Sequence, residues 1–349
     1  MYTYIETKDT CYKMATSPLK SILLNKIAHS NKMSTSDMQN FLEEKVSQRT
    51  IKRWINQWIL EGKVEQLGKN RFAQYQLKVQ TSQDNTMQLT FLKNIPTHKK
   101  SAVLAELRDL WTHNSTSIEG NTLTLGETYD ILEYGLTISG KPLKEHQEII
   151  GHAKAISMLY DCLLKNKPLD KDFICQLHKT VQTENIIDIY KPMGDWKLEI
   201  NGCRAMDYQN TQKPVYIEYA HPVHIPELME EYIKTLNAID PQSITLNNLP
   251  ELYAKLHMGF VHIHPFWDGN GRLARLIANL PLLKAGFPPL IIDTTQRKEY
   301  IEALSAYQIR NGTLTPKTGI WPKTDYDEFI TFCKKSYALT TDILTRYMS

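Results

Sequence analysis

The chain has 349 residues, 42% of them hydrophobic and 23% charged, with a formal net charge of +3 at pH 7. That length suits one small and one larger domain with a sizeable core, and the composition is ordinary for a soluble protein. No run approaches the roughly 18 apolar residues that span a bilayer, so no membrane partner is expected. The opening Met-Tyr-Thr-Tyr-Ile-Glu-Thr-Lys is not a secretion signal. Cys11, Cys162, Cys175, Cys203 and Cys333 are odd in number and widely spaced, which speaks against a disulfide framework or a zinc site. A reducing, cytoplasmic location is the expectation.

In chain order, residues 1–16 lack an apolar period and are expected to be mobile. Leu19, Ile22, Leu23, Ile27 and Ala28 mark a helix face over 18–31. A second helix is predicted over 36–44, capped by Ser34 or Ser36, with Met38, Phe41 and Leu42 inward. Ser47 caps a third helix ending at Gly62. Its apolar face is Ile51, Ile55, Trp58 and Ile59; its other face is Gln48, Arg49, Lys52, Arg53, Asn56 and Gln57. Lys63–Leu67 and Arg71–Gln76 read as a hairpin around Gly68-Lys69-Asn70. Three helices and a hairpin are the order of a winged helix-turn-helix, a small α+β domain assigned to residues 17–79. Residues 17–78 carry eleven Lys or Arg against five Asp or Glu, so their net charge of +6 leaves −3 for the remainder. Localised positive charge suggests DNA, with Arg49, Lys52, Arg53 and Asn56 as candidate contacts. Protein contact or dimerisation through the same module is the alternative.

Residues 80–100 are polar, contain Pro96 and read as a linker with a short docking segment at Leu89–Leu92. From 101 onward helical patterns recur at 101–113, 125–136, 143–165, 170–182, 225–238, 247–262, 271–285, 296–310 and 325–346. The first has Val103, Leu104, Leu107, Leu110 and Trp111 on its apolar face and runs into Ser-Thr-Ser-Ile-Glu-Gly at 115–120. Glu119 is thus a carboxylate at a helix end where the dipole disfavours it, unless a cation waits nearby. Residues 213–220 alternate in polarity after the turn-prone Asp207-Tyr-Gln-Asn210, which predicts a hairpin with Val215 to Tyr219 as one strand.

Residues 264–275 read His-Pro-Phe-Trp-Asp-Gly-Asn-Gly-Arg-Leu-Ala-Arg, between two apolar helical stretches. Gly269 and Gly271 let successive N–H groups converge at a helix start, where phosphate is attracted. Arg272 and Arg275 lie three apart on that helix, and their guanidinium forks match phosphate oxygens. Asp268 is a hard oxygen ligand able to hold Mg²⁺ beside phosphates. His264 titrates near neutrality and can act as general base. Phe266 reads as an anchor in the core.

These residues resemble the Fic family pattern His-x-Phe-x-(Asp/Glu)-Gly-Asn-Gly-Arg-x-x-Arg, matched by His264, Phe266, Asp268, Gly269, Asn270, Gly271, Arg272 and Arg275. The resemblance implies an all-α Fic core with a small β-hairpin flap over 101–349, its catalytic part at about 169–335. It implies transfer of AMP from ATP to a Ser, Thr or Tyr hydroxyl of a target protein, releasing pyrophosphate, with Mg²⁺ or Mn²⁺. By position, His264 deprotonates the target, Asp268 binds the metal, Gly269, Asn270, Gly271 and Arg272 surround the α- and β-phosphates, and Arg275 reaches the γ-phosphate. Phosphorylating relatives usually have Lys where Gly271 stands, which favours AMP transfer. Ser115, Glu119 and Gly120 resemble the inhibitory pattern (Ser/Thr)-x-x-x-Glu-(Gly/Asn), so residues 101–120 would be an inhibitory helix and Glu119 would pair with Arg275. Tyr300 and Gln308 fall where relatives face adenine, and Val215, Tyr216 and Ile217 where the flap holds the target as an added strand. AMP removal, or both directions, and a DNA-binding regulator with a nucleotide-sensing core are the alternatives; a homodimer is left open.

Overall fold

Capping and apolar spacing determine where this chain turns helical, and two places depart from the simple reading. The computed structural model describes residues 19–20, 22–24, 26–27, 30, 32–43, 45–60, 64–68, 73–77, 89–165, 167–182, 191–207, 212–322 and 326–348. The mobile segment expected at 1–16, the tip of the first hairpin at 69–72, most of the linker and the turn at 208–210 lie outside the described residues. The chain divides into two units, residues 1–84 and 85–349.

In the first unit, residues 19–20, 22–24 and 26–27 are helical. Helix α1 (Thr35–Phe41) opens on Ser34. The Ser34 hydroxyl accepts from the Asp37 N–H at 3.2 Å, and the Asp37 carboxylate accepts from the Ser34 N–H at 2.8 Å. Helix α2 (Gln48–Leu60) starts after Ser47, whose hydroxyl accepts from the Thr50 N–H. Strands β1 (Val64–Leu67) and β2 (Gln74–Leu77) pair antiparallel, with Val64 opposite Leu77. Met33 bridges to Tyr75 by two backbone hydrogen bonds of 2.9 and 2.8 Å, so the segment before α1 is tied to the hairpin. Leu23, Ile27, Met38, Ile51, Trp54, Ile55, Trp58 and Val64 fill the core. Trp54 therefore joins the inner face of α2, while Ile59 is only half-buried. Phe41, expected inward, is exposed at the last turn of α1 beneath the Lys26 amine, and Leu42 turns in instead.

The second unit is helical around α8. Its elements are α3 (Lys100–Ile118), α4 (Leu125–Tyr134), α5 (Leu143–Leu164), α6 (Lys171–Val181), strands β3 (Gly202–Met206) and β4 (Pro214–Glu218), α7 (Ile225–Asn237), α8 (Leu249–Ile263), α9 (Asn270–Ile277), α10 (Leu280–Lys284), α11 (Arg297–Asn311) and α12 (Asp327–Met348). Helix α8 is apolar nearly all round and correspondingly buried, from Leu249 and Tyr253 to Phe260 and Ile263. Strands β3 and β4 are antiparallel, Gly202 opposite Glu218 and Met206 opposite Pro214. The single helix expected at 271–285 is two. Pro281 has no N–H to continue a helix, and Asn279 occupies the break. Its amide donates to the Arg275 and Leu290 carbonyls and accepts from the Leu290 N–H. Among the described residues no helix is long and apolar enough to cross a membrane.

Three histidines are sealed in this core. Burial pushes His262 down to about 4, and His152 and His257 well below the ordinary imidazole value. The folded protein keeps them neutral, while the unfolded chain protonates them near pH 6.5. Their contribution is full above that pH and lost as pH falls, at about 1.4 kcal/mol per pH unit for each histidine charged only in the unfolded state. We predict a clearly lower urea midpoint at pH 5.0 than at pH 7.5; equal midpoints would show that these imidazoles reach solvent.

Candidate active site

Helix α8 ends by throwing His264 into the left-handed region, φ 54° and ψ 60°, with its N–H still bonded to the Phe260 carbonyl at 3.0 Å. A non-glycine residue held there is strained by roughly 1–2 kcal/mol and needs surroundings that enforce it. Tyr219, just beyond β4, supplies one wall: its ring lies flat on the His264 imidazole, centroids 3.7 Å apart. His264 Nδ1 donates to the Val261 carbonyl at 3.2 Å, which assigns the tautomer and leaves Nε2 as a lone-pair acceptor. Burial, followed by the nearby Lys197 charge, pushes this imidazole down to about 3, so it is a neutral base at neutral pH.

The loop after His264 is closed from inside. Phe266 is buried, stacked 3.9 Å from the His178 ring and packed against Trp196. The Asn270 amide pairs with both backbone groups of Phe266, at 3.0 and 2.9 Å. Asn270 therefore closes the loop with its side chain, and only its backbone N–H remains to meet a phosphate. Gly269 sits at φ 79° as the N-cap of α9, a conformation natural to glycine, and the first N–H groups of α9 follow it. His178 accepts from the Gly194 N–H at Nδ1 and donates from Nε2 to the Asp268 carbonyl, so it too is neutral; burial pushes it down to about 4.

Asp268 is the most open member of the loop, its side chain 61% exposed. Burial opposes its charge, but the Arg272 guanidinium, the Gly269 N–H and the Gln182 amide outweigh that and hold the carboxyl below its usual range. Among the described residues no three His, Cys, Asp or Glu converge to make a metal cage. Arg272 turns towards α6, donating to the Val181 carbonyl and, at 2.9 Å, to Gln182. Its second carboxylate neighbour, Glu148, stands 3.8 Å away.

Arg275 turns the other way. Its side chain is 2% exposed and every nitrogen is engaged. Nε donates to Ser115 Oγ at 3.0 Å, Nη1 to the Tyr300 hydroxyl at 3.0 Å, and Nη2 to the Ser115 carbonyl and to Glu119 Oε1, both at 2.7 Å. Burial opposes this charge, yet Tyr300 and Glu119 hold the guanidinium above its ordinary value. Glu119 caps the C-terminus of α3, followed by Gly120 at φ 105°, and its side chain is 41% exposed. A methyl group at Gly271 would collide with Glu119 Oε1, so the carboxylate lies against the first turn of α9. The helix end is stapled by Arg297 donating to the Ile118 carbonyl and by Asn121 donating to Glu148 and the Glu145 carbonyl.

Tyr300 is not placed to stack on a base. It is 1% exposed, enclosed by His257, Phe329 and Phe332, and its hydroxyl accepts from Arg275 and donates to His257 Nε2. Gln308 is buried with an amide nitrogen that has no partner. On β4, Tyr216 is exposed, Val215 half-buried and Ile217 buried, as strand alternation requires.

Besides Tyr219, four further side chains outside the motif support the site: His178, Gln182, Lys197 and Asn201. Lys197 is 1% exposed, with its amine 5.8 Å from the Tyr219 ring and 2.6 Å from Asn201 Oδ1; burial brings it down to about 7. Its N–H donates to the Pro265 carbonyl, while Asn201 donates to the Phe266 and Trp267 carbonyls. His178 on the inner face of an amphipathic helix was a visible polar intrusion. Lys197 and Asn201 lie in irregular chain, where no periodicity marks them.

Residues 168–282 match the Fic/DOC family. Protein adenylyltransferase fic-1 of Caenorhabditis elegans is 34% identical over 220 residues, covering 61% of this chain and 39% of its own length. Protein adenylyltransferase Fic of Drosophila melanogaster is 34% identical over 200 residues, covering 55% and 36%. The chain thus spans well under half the length of these curated relatives. A Fic domain containing signaling protein from Bacteroides thetaiotaomicron superposes with a TM-score of 0.61 at 27% identity, over 75% of this chain and 97% of that one. Fic-1 from C. elegans does so with a TM-score of 0.55 at 26% identity, over 75% and 70%. The matched segment opens just before α6 and closes within α10, so the match to the Fic/DOC family covers the whole His264–Arg275 loop.

Proposed function

We propose that this site transfers AMP from ATP to a hydroxyl side chain of a target protein, releasing pyrophosphate, and that Glu119 restrains it. The observation that carries this reading is the 2.7 Å contact between Glu119 and Arg275 at the start of α9, beside a neutral histidine base. His264 Nε2 takes the proton from the target hydroxyl. The oxygen bonds to the α-phosphorus as the bond to the bridging oxygen breaks, and pyrophosphate leaves with that electron pair. The N-terminal N–H groups of α9 and the Arg272 guanidinium balance the phosphate charge. Arg275 receives the γ-phosphate once Glu119 has moved aside.

The donor set fits one hard cation shared with substrate. Asp268 is ionised and open, and it would give Mg²⁺ or Mn²⁺ a single carboxylate, with phosphate oxygens and water supplying the remaining ligands. Bound there, the ion would neutralise phosphate charge. Gln308 has an unpaired amide donor but is buried as Tyr300 is, so neither would meet the base without a local rearrangement. The free edge of β4, around Val215 to Ile217, would take an extended target segment as an added strand.

The test is label transfer from α-labelled ATP with Mg²⁺. Glu119→Gly leaves three of the four Arg275 hydrogen bonds in place, so the guanidinium stays positioned but becomes available. Auto-modification should rise about tenfold or more, the equivalent of at least ~1.4 kcal/mol, and His264→Ala in that background should abolish it. No gain from Glu119→Gly would remove the restraint from this account. Label arriving only from γ-labelled ATP would replace AMP transfer with phosphoryl transfer.

A second expectation concerns Asn201. Asn201→Ala takes the Asn201 Oδ1 acceptor from the buried Lys197 amine and the Asn201 donor from the Trp267 carbonyl, while the Phe266 carbonyl keeps Asn270, a cost of about 1–3 kcal/mol. In the Glu119→Gly background kcat should fall about tenfold while ATP affinity, followed by a fluorescent analogue, holds within about twofold. An unchanged kcat would show that the loop keeps its geometry without Asn201.

A further inference from the structure

We propose that the solvent face of α2 (Gln48–Leu60) is a binding surface for double-stranded DNA, inserted in the major groove. One side of this helix is locked: Ile51, Trp54, Ile55 and Trp58 are buried, and the two indoles pack 6.4 Å apart. The opposite side presents Arg49, Lys52, Arg53, Asn56 and Gln57, all exposed. The helix contains no Asp or Glu, and none of Arg49, Lys52 and Arg53 is paired with a carboxylate among the described residues. Arg49 with Arg53, and Lys52 with Asn56, are each one turn apart, so cations and amides form two adjacent rows. Gln57 is steadied by the Lys20 amine at 2.6 Å.

Three physical points select the ligand. The charge is concentrated: residues 17–78 sum to +6 in a chain of +3, as a polyanion site requires. A helix of about 10–12 Å diameter fits a major groove about 12 Å wide, and Arg and Asn are the side chains that read guanine and adenine edges there. The corresponding groove of duplex RNA is too deep and narrow for side chains. A protein partner is disfavoured because, among its described side chains, α2 exposes no large apolar or aromatic group to act as an anchor.

The experiment uses the full chain and a fluorescent 30-base-pair DNA duplex of mixed sequence, with anisotropy read from 50 to 200 mM salt. We expect binding that weakens with salt. Lys52→Ala with Arg53→Ala should reduce affinity at least tenfold and flatten the log–log salt slope by about two, with the melting temperature unchanged because both side chains are exposed. Lys234→Ala, at an exposed position on the solvent side of α7, should alter neither. The proposal is overturned by any of three results: no binding at 50 mM salt, equal affinity in the double variant, or duplex RNA of the same length bound as tightly.

Discussion

A guanidinium with almost no contact with water sets the terms for the second unit. An unpaired buried charge is costly, so Arg275 must find a partner for each nitrogen. It finds them on two distant pieces of chain: Ser115 and Glu119 at the end of α3, and Tyr300 on α11. Meeting that demand brings the helix carrying Glu119 against the first turn of α9. The same demand explains why Tyr300 is buried beside His257, which accepts the hydroxyl proton that Arg275 leaves free to donate.

The loop itself is held by hydrogen bonds from the elements around it. Asn270 closes it on Phe266, His178 supports Asp268 from below, and Lys197 reaches it through Asn201. Asn270, His178 and Lys197 are buried and Asn201 is half-buried, so these hydrogen bonds are expensive to lose and the loop has few alternative shapes. Burial also keeps His264 and His178 uncharged, which places a lone pair on Nε2 of one and a proton on Nε2 of the other. The open groups left over are those a nucleotide would meet: the Asp268 carboxylate and the start of α9.

The sequence carried the loop plainly because its parts are consecutive and each is chemically apt. Glu119 was legible for a different reason, as a carboxylate at the wrong end of a helix. What escaped reading depends on long-range partners. Arg272 and Arg275 were placed on one face of a helix, yet Arg272 turns to α6, and Arg275, besides the Glu119 contact that the resemblance implied, reaches Tyr300 on α11. Tyr300 was placed by resemblance facing adenine, and its spacing is the same whether it faces a ligand or a buried arginine. Lys197 and Asn201 gave no periodic signal at all. In the first unit the apolar period found the helices but missed the burial of Trp54 and the outward turn of Phe41, since a helix end can place a residue on either side.

The position of Gly271 has a further meaning. Because only hydrogen fits between its α-carbon and Glu119 Oε1, the carboxylate occupies the ground where helix dipole and arginine together would draw the outermost phosphate. Two anions contending for one place are thermodynamically reciprocal. If the closed arrangement were favoured 99:1, apparent nucleotide affinity would fall about a hundredfold, and any event that loosened the end of α3 would recover it by the same factor. On the proposed function the restraint would be graded rather than absolute, its grip set by how much nucleotide competes with one carboxylate oxygen.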